Sequence, residues 1–166
     1  MSQTITHEWE KTLLARLPLF GHRNWIVVAD AAYPLQSNPG IETIACGESQ
    51  IEVARRVMES IASSAHIRAN IYIDAELKYL QEEYAPGIEL FRRQLSELLQ
   101  QQPMCRIPHE EIIGKLDKAA TLFRVLLVKT NVALPYTSVF FELDCGYWNA
   151  DAEQKLRAAM QAANRP

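Results

Sequence analysis

The chain has 166 residues, of which 48% are hydrophobic and 22% are charged, and its formal net charge is -3. This length suits one domain with a sizeable core, and the composition is typical of a soluble globular protein. The negative net charge and the absence of a long run of basic residues argue against a nucleic-acid binder. No apolar stretch approaches the roughly 18 residues of a membrane span. The N-terminus also lacks the pattern of a signal peptide. Three widely spaced cysteines predict no disulfide framework, so we expect a cytoplasmic protein.

Hydrophobic periodicity and turn signals predict helices and strands that alternate along most of the chain. In chain order, the pattern predicts a helix over 6–20, strands over 25–29 and 41–46, a helix that begins after Ser49, a strand over 69–73, helices over 76–84 and 88–102, a strand over 104–107, a helix over 108–120, strands over 122–128 and 139–143, and a last helix ending near Ala163. Ser49 and Glu52 form a predicted capping box at the start of the second helix.

This alternation predicts an α/β fold in three layers, α/β/α, with helices on both faces of a mostly parallel central sheet. Only residues 129–138 separate the last two strands, which is too short for a helical crossover. We therefore expect these two strands to pair antiparallel, which makes the sheet mixed. We expect a single domain over 1–166 with a C-terminal helical extension from about 149. The modest apolar face of that extension is expected to pack on its own subunit or on a neighbour.

The segment from Gly21 to Pro34 carries the clearest sign of a site. His22 comes shortly before the apolar strand over 25–29, and Asp30 directly follows it. Open α/β sheets bind ligands at the carboxyl ends of their strands. Asp74, His109 and Tyr136 lie at other predicted element ends and complete a set of acid–base candidates. Each histidine is equally open to interpretation as a structural residue bonded to the backbone, and Tyr136 as a packed surface aromatic.

Other kinds of site have little support in the sequence. The His, Cys, Asp and Glu residues show no familiar spacing of metal ligands, so we expect no metal. The six glycines form no phosphate-binding loop, and no serine has the strand–turn–helix context of a nucleophile. What remains is the set of acid–base candidates.

Three passages of the sequence resemble the D-ribose pyranase and L-fucose mutarotase family. The segment 21–34 resembles its Gly-His-Gly-Asp, apolar strand and Ala-Asp-Ala-x-Phe-Pro pattern. Ile107-Pro108-His109-Glu110-Glu111 resembles the histidine-containing helix start of the pyranase branch, and Pro135-Tyr136-Thr137-Ser138-Val139 resembles its Pro-Tyr-Ala-Asn-Val. The resemblance covers roughly residues 12–148.

This resemblance implies cofactor-free interconversion of the ring and anomeric forms of a monosaccharide. It also implies a ring-shaped homo-oligomer with sites near the subunit interfaces. His22 matches the catalytic histidine, Asp30, His109 and Tyr136 match substrate-binding positions, and Ser138 matches a sugar-binding asparagine. An imidazole suits the reaction, because its ordinary pKa of about 6.5 lets it both donate and accept protons near neutral pH.

Several family positions are changed in this chain. Arg23 and Asn24 replace a Gly-Asp pair, Val132 replaces a glutamate, and Ile113 replaces a lysine. These changes remove polar groups, including a carboxylate beside His22. Two functions therefore stay open: a mutarotase or pyranase-like isomerase, and a catalytically weak sugar-binding or regulatory oligomer on the same fold.

Chain length adds a geometric condition on the site. His22 and Asp30 are eight residues apart, which spans on the order of 26 Å in a fully extended chain. Either the chain bends sharply after His22, or one sugar meets these two residues from different subunits.

Overall fold

A computed structural model describes residues 7–164, and within that range six strands form one sheet in the order β2-β5-β1-β6-β3-β4. The strands are β1 Trp25–Ala29, β2 Ile41–Ala45, β3 Ile67–Asp74, β4 Met104–Ile107, β5 Val125–Lys129 and β6 Val139–Cys145. The helices are α1 Glu8–Arg16, α2 Gln50–Ala62, α3 Ile88–Leu99, α4 His109–Ala120 and α5 Ala150–Ala163. Strand β6 is antiparallel to both of its neighbours, whereas the other strand pairs are parallel. The predicted mixed α/β sheet is confirmed.

The sheet is covered on both faces, as the alternation of elements predicts. On one face, α1, α2 and α3 pack on residues such as Ile26, Val28 and Phe141. On the other face, α4 packs on residues such as Val27 and Phe140. Strand β1 is completely buried because it lies near the middle of the sheet and has helices on both sides. The three-layer α/β/α arrangement is therefore present.

The expected pairing of the last two strands with each other is wrong. Strand β5 lies between β2 and β1, and β6 lies between β1 and β3, so β1 separates them. The segment 130–138 therefore crosses the end of β1, which brings its residues next to Asp30: the amide of Ala31 donates to the carbonyl of Val132 at 2.8 Å.

The predicted helix over 76–84 is only a short 3-10 turn, Ala75–Tyr79. The reason is Arg92 on α3, whose Nη1 donates to the carbonyls of Leu77 (3.0 Å), Lys78 (3.3 Å) and Leu80 (2.7 Å). These carbonyls are the ones that a continuing helix needs as acceptors. Leu80 then adopts extended backbone, and the chain leaves the helix.

Both ends of the chain differ from expectation. Helix α1 begins at Glu8 and gives way to a 3-10 turn at Leu17–Leu19, and the predicted start at Thr6 lies outside the described residues. Helix α5 is capped by Asn149, whose side chain accepts from the amide of Ala152 at 2.9 Å. It buries none of its residues, so it does not pack on its own subunit as one of the two expectations held.

Candidate functional site

Three of the predicted site residues line one cavity of about 380 Å³. Asp30 follows β1, His109 begins α4 directly after β4, and Tyr136 lies in the loop before β6. Tyr33 and Ile113 add apolar wall, and we call this space the histidine cavity. Its volume suits a small polar metabolite. The carboxyl ends of two parallel strands thus meet here, as the α/β architecture predicts.

The imidazole of His109 is held at two points. The backbone amide of His109 donates to both carboxylate oxygens of Glu76, each at 3.1 Å, which satisfies an amide that would otherwise be free at the start of α4. In the side chain, Nδ1 lies 3.0 Å from Oδ1 of Asp74. Nε2 has no hydrogen-bond partner among the described residues, and the side chain is 28% exposed. With Nδ1–H donating to Asp74, Nε2 is free to accept a proton from a ligand.

Asp74 is the most unusual ionisable group near the cavity. Its side chain is completely buried, and its Oδ2 has no hydrogen-bond partner in the described protein. Burial raises the pKa of Asp74 from 3.8 to about 6, although the bond to His109 opposes the change. Sequence reasoning placed Asp74 among the acid–base candidates but left it out of the final set of site residues. The signal was present, since Asp74 ends a buried strand in the same way as Asp30.

Asp30 and Ser138 are neighbours, but they have different positions relative to the cavity. The hydroxyl of Ser138 donates to Oδ1 of Asp30 at 3.3 Å, and the amide of Asp30 lies 3.4 Å from the same hydroxyl. Ser138 is 3% exposed and is not part of the cavity wall. In this arrangement Ser138 orients the carboxylate of Asp30, and Asp30 faces the cavity.

Tyr136 has a strained backbone, with φ of 56° in the left-handed region that non-glycine residues rarely adopt. Its ring meets the ring of His109 edge-on, with centroids 5.6 Å apart. Buried Gln50 holds the loop that carries Tyr136 in place. Its side-chain amide donates to the carbonyls of Thr137 and Val28, and its carbonyl oxygen accepts from Thr130 at 2.8 Å. Sequence reasoning missed Gln50, because its partners lie far along the chain: Val28 is 22 residues away, Thr130 is 80 and Thr137 is 87.

The wall of the histidine cavity holds a second buried polar group. Tyr33 is 5% exposed, and its hydroxyl has no hydrogen-bond partner among the described residues. Burial, together with the negative charges of Asp117, Asp74 and Asp30, raises the pKa of Tyr33 above its ordinary value. The phenol therefore stays protonated and is a potential donor.

His22 lies at the other end of the sheet. It precedes the first residue of β1, whereas Asp30 follows the last. The five residues of β1 alone separate the two ends by about 13 Å, at roughly 3.3 Å per residue step. The chain therefore does not bend back to bring His22 to the histidine cavity of its own subunit.

The expected loss of an acidic partner for His22 is wrong, because Asp144 at the end of β6 supplies one. Nδ1 of His22 lies 2.8 Å from Oδ1 of Asp144. Arg68 donates to Oδ2 of Asp144 at 2.8 Å, and this bond lowers the pKa of Asp144. Arg23 donates its Nε–H to Nε2 of His22 at 3.2 Å, so Nε2 is unprotonated and Nδ1 carries the proton. The imidazole is 58% exposed to solvent.

Within residues 7–164, no group of three or more His, Cys, Asp or Glu side chains is arranged to hold a metal ion. Over the same range, no helix combines the length and apolar character that crossing a bilayer needs.

Comparisons with solved structures return the same fold. The structure of Bacillus subtilis RbsD complexed with D-ribose superposes with a TM-score of 0.54 at 19% identity, over 87% of this chain and 97% of that one. The fucose mutarotase of Streptococcus pneumoniae in complex with L-fucose gives 0.56 at 19% identity, over 86% and 98%. FucU from Bifidobacterium longum gives 0.53 at 10% identity, over 81% and 94%.

No individually curated protein matches the sequence. A family model, described as the RbsD / FucU transport protein family, matches residues 4–145. This match covers most of the chain and leaves residues 1–3 and the segment that carries α5 outside it. The chain therefore belongs to the RbsD / FucU transport protein family.

Proposed function

We propose that this protein is a monosaccharide mutarotase or pyranase-like isomerase that works by acid–base catalysis without a cofactor. The observation that carries the proposal is the convergence of Asp30, His109 and Tyr136 on one small cavity. Family membership supports it, as do relatives of the same fold that were solved with D-ribose and with L-fucose.

Opening a cyclic hemiacetal needs two proton transfers. One proton goes to the ring oxygen, and another leaves the anomeric hydroxyl; ring closure reverses both steps. His109, with its free Nε2, has the buried carboxylate of Asp74 behind it. His22 has a similar relation to Asp144. In each pair the carboxylate fixes the orientation of the imidazole ring, and Asp144 also stabilises the imidazolium that forms on His22 during proton transfer. Asp30 and the Tyr136 hydroxyl then hold sugar hydroxyls.

One sugar meets both histidines only if two subunits share it. His22 and the histidine cavity lie at opposite ends of β1, which is much farther than a monosaccharide reaches. His22 is also exposed, so it is available to a neighbouring copy. We therefore assign the catalytic role to His22 of one copy and the substrate-binding roles to Asp30, His109 and Tyr136 of the next.

The first experiment measures exchange between sugar anomers by NMR for a panel of aldoses, including D-ribose and L-fucose. We expect the wild-type protein to accelerate exchange for at least one sugar, and both His22→Ala and His109→Ala to abolish the effect. His7→Ala is the matched control, because His7 does not line the cavity. A protein that binds no sugar and accelerates no exchange would contradict the proposal.

Mixing inactive variants tests the shared site directly. His22→Ala and His109→Ala subunits are denatured together and refolded at equal amounts. If each site takes one histidine from each of two copies, roughly a quarter of the interfaces recover both residues, and activity returns to about that level. Sites contained in one chain give no recovery. Full activity of a stable monomer at high dilution would also refute the shared site.

A catalytically weak sugar-binding oligomer is the second candidate, and Arg23 favours it. The guanidinium of Arg23 occupies Nε2 of His22, the nitrogen that catalysis would need. Sugar binding without faster anomer exchange, in both wild-type protein and the Arg23→Gly variant, would select this second function.

A further inference from the structure

A second cavity of about 310 Å³ lies on the opposite face of the sheet. The 3-10 turn at Ala75–Tyr79, helix α3 and the edge strand β4 surround it. Its floor includes Ile73, which belongs to the core under α1, α2 and α3. The next residue on β3, Asp74, instead contacts His109 of the histidine cavity. The two cavities are therefore separate sites.

Four cationic side chains line this second cavity, which we call the cationic cavity. Lys78 comes from the 3-10 turn, Arg92 and Arg93 from α3, and Arg106 from β4. Within residues 7–164, no Asp or Glu lines it. Among the described residues, none of these four cations has a carboxylate oxygen within 4.0 Å. In a chain with a net charge of -3, this is a local excess of positive charge.

Arg92 is already fixed in place for binding an anion. Its Nη1 donates to three backbone carbonyls, which are neutral; Glu82 is near enough for Arg92 to contribute to its lowered pKa, but the two side chains form no ion pair. The Nε and Nη2 of Arg92 have no partner among the described residues. An immobilised guanidinium with free donors binds anionic oxygens at a reduced entropic cost.

The floor of the cationic cavity is apolar, formed by side chains that include Leu77, Leu95 and Met104. Its volume is at the lower end of the range for small-molecule sites. A ligand that suits both features has an anionic head and a compact apolar body. Four positive charges favour a dianion over a single negative charge. We propose that the cationic cavity binds a small phosphomonoester.

The test is a titration of the full-length protein with phenyl phosphate, followed by NMR chemical-shift changes and by calorimetry. Inorganic phosphate, benzoate and phenol serve as partial probes. We expect saturable binding of phenyl phosphate that weakens with added salt, weaker binding of inorganic phosphate and benzoate, and none of phenol. The double variant Arg93→Gln/Arg106→Gln, which leaves the structural Arg92 intact, should weaken binding by about tenfold or more.

Lys118→Gln is the control for loss of a positive charge elsewhere on the surface, because Lys118 is exposed on α4, on the other face of the sheet. It should leave the affinity unchanged. The proposal is overturned if the wild-type protein shows no saturable binding at millimolar phenyl phosphate, or if both variants weaken binding equally. It is also overturned if phenol binds as well as phenyl phosphate, or if the double variant changes only the size of the assembly. Because the probes contain no sugar, none of these results depends on the proposed isomerase activity.

Discussion

Replacing Asp74 by Asn should stabilise the protein at neutral pH. The folded state holds the pKa of Asp74 at about 6, mainly because burial penalises the charged carboxylate, against 3.8 for the ordinary group. Between these values, the folded state binds a proton more tightly than the unfolded state, so wild-type stability falls as the pH rises through this window. Asn carries no charge and keeps an oxygen that accepts from Nδ1 of His109. The variant therefore does not lose stability as the pH rises.

The size of the effect follows from the same two values. At about 1.4 kcal/mol per pH unit, the interval from 3.8 to about 6 corresponds to roughly 3 kcal/mol. For a chain of this length that is on the order of 10 °C in the unfolding midpoint. The advantage of Asp74→Asn should be near zero below pH 4, grow between pH 4 and 6, and reach its full value above pH 7.

Urea unfolding followed by circular dichroism, at pH 3.5, 5 and 7.5 and at one protein concentration, measures this difference. Asp144→Asn is the matched control, because Arg68 lowers the pKa of Asp144 and the sign is reversed. That variant should lose stability at pH 7.5 and match the wild type once the pH falls well below the ordinary carboxyl pKa. An advantage of Asp74→Asn that is the same at all three pH values would refute the linkage to its charge. If the stabilised variant also shows slower anomer exchange, the buried charge of Asp74 supports the function of His109 at the cost of stability.

Three other changes test the remaining structural claims. Gln50→Leu should lower the free energy of unfolding, measured with urea, by about 2–3 kcal/mol, because it leaves buried carbonyls unpaired. The control Gln100→Leu, at an exposed position, should change it by less than about 0.5 kcal/mol, and equal effects of the two variants would contradict the role of Gln50. Arg23→Gly frees Nε2 of His22 and removes a positive φ of 76° from a non-glycine residue, so anomer exchange measured by NMR should become faster; an unchanged rate would show that Arg23 does not restrain the imidazole. A chain that ends at Asn149 should keep its unfolding free energy within about 0.5 kcal/mol, because α5 buries nothing, and a larger loss would show that α5 is covered in the assembly.

The sequence was sufficient for most of the elements and for the layers, but not for the helix over 76–84 or for the order of the strands. Alternating periodicity identifies a strand or a helix wherever it occurs, whereas strand neighbours depend on contacts between distant segments. One signal for the order was nevertheless present. The runs Trp25–Ala29 and Val125–Lys129 are almost continuously apolar, as expected of central strands, whereas Met104–Ile107 contains the charged Arg106, as expected of an edge strand.

For the candidate site too, the sequence predicted some residues and missed others. Asp30, His109 and Tyr136 were predicted from element ends and from family resemblance, and the structure brings them to one cavity. Asp144 left no local signal, because it is 122 residues from His22 along the chain. Only the antiparallel pairing of β6 with β1 puts the two side by side. Polar networks that join distant strands are beyond what a local pattern reveals.

Strand β6 also explains why the proposed site has two halves. Because β6 runs antiparallel to β1, its first residue, Val139, lies beside Val28 near the histidine cavity. Its far end carries Asp144 to His22. Each copy thus presents a different half-site at each end of the sheet. A two-fold dimer that joins like ends would leave both halves incomplete, whereas head-to-tail contacts that close into a ring would complete every site. The proposed activity therefore requires a heterologous assembly, and a solution structure showing only a like-end dimer would leave His22 without a substrate.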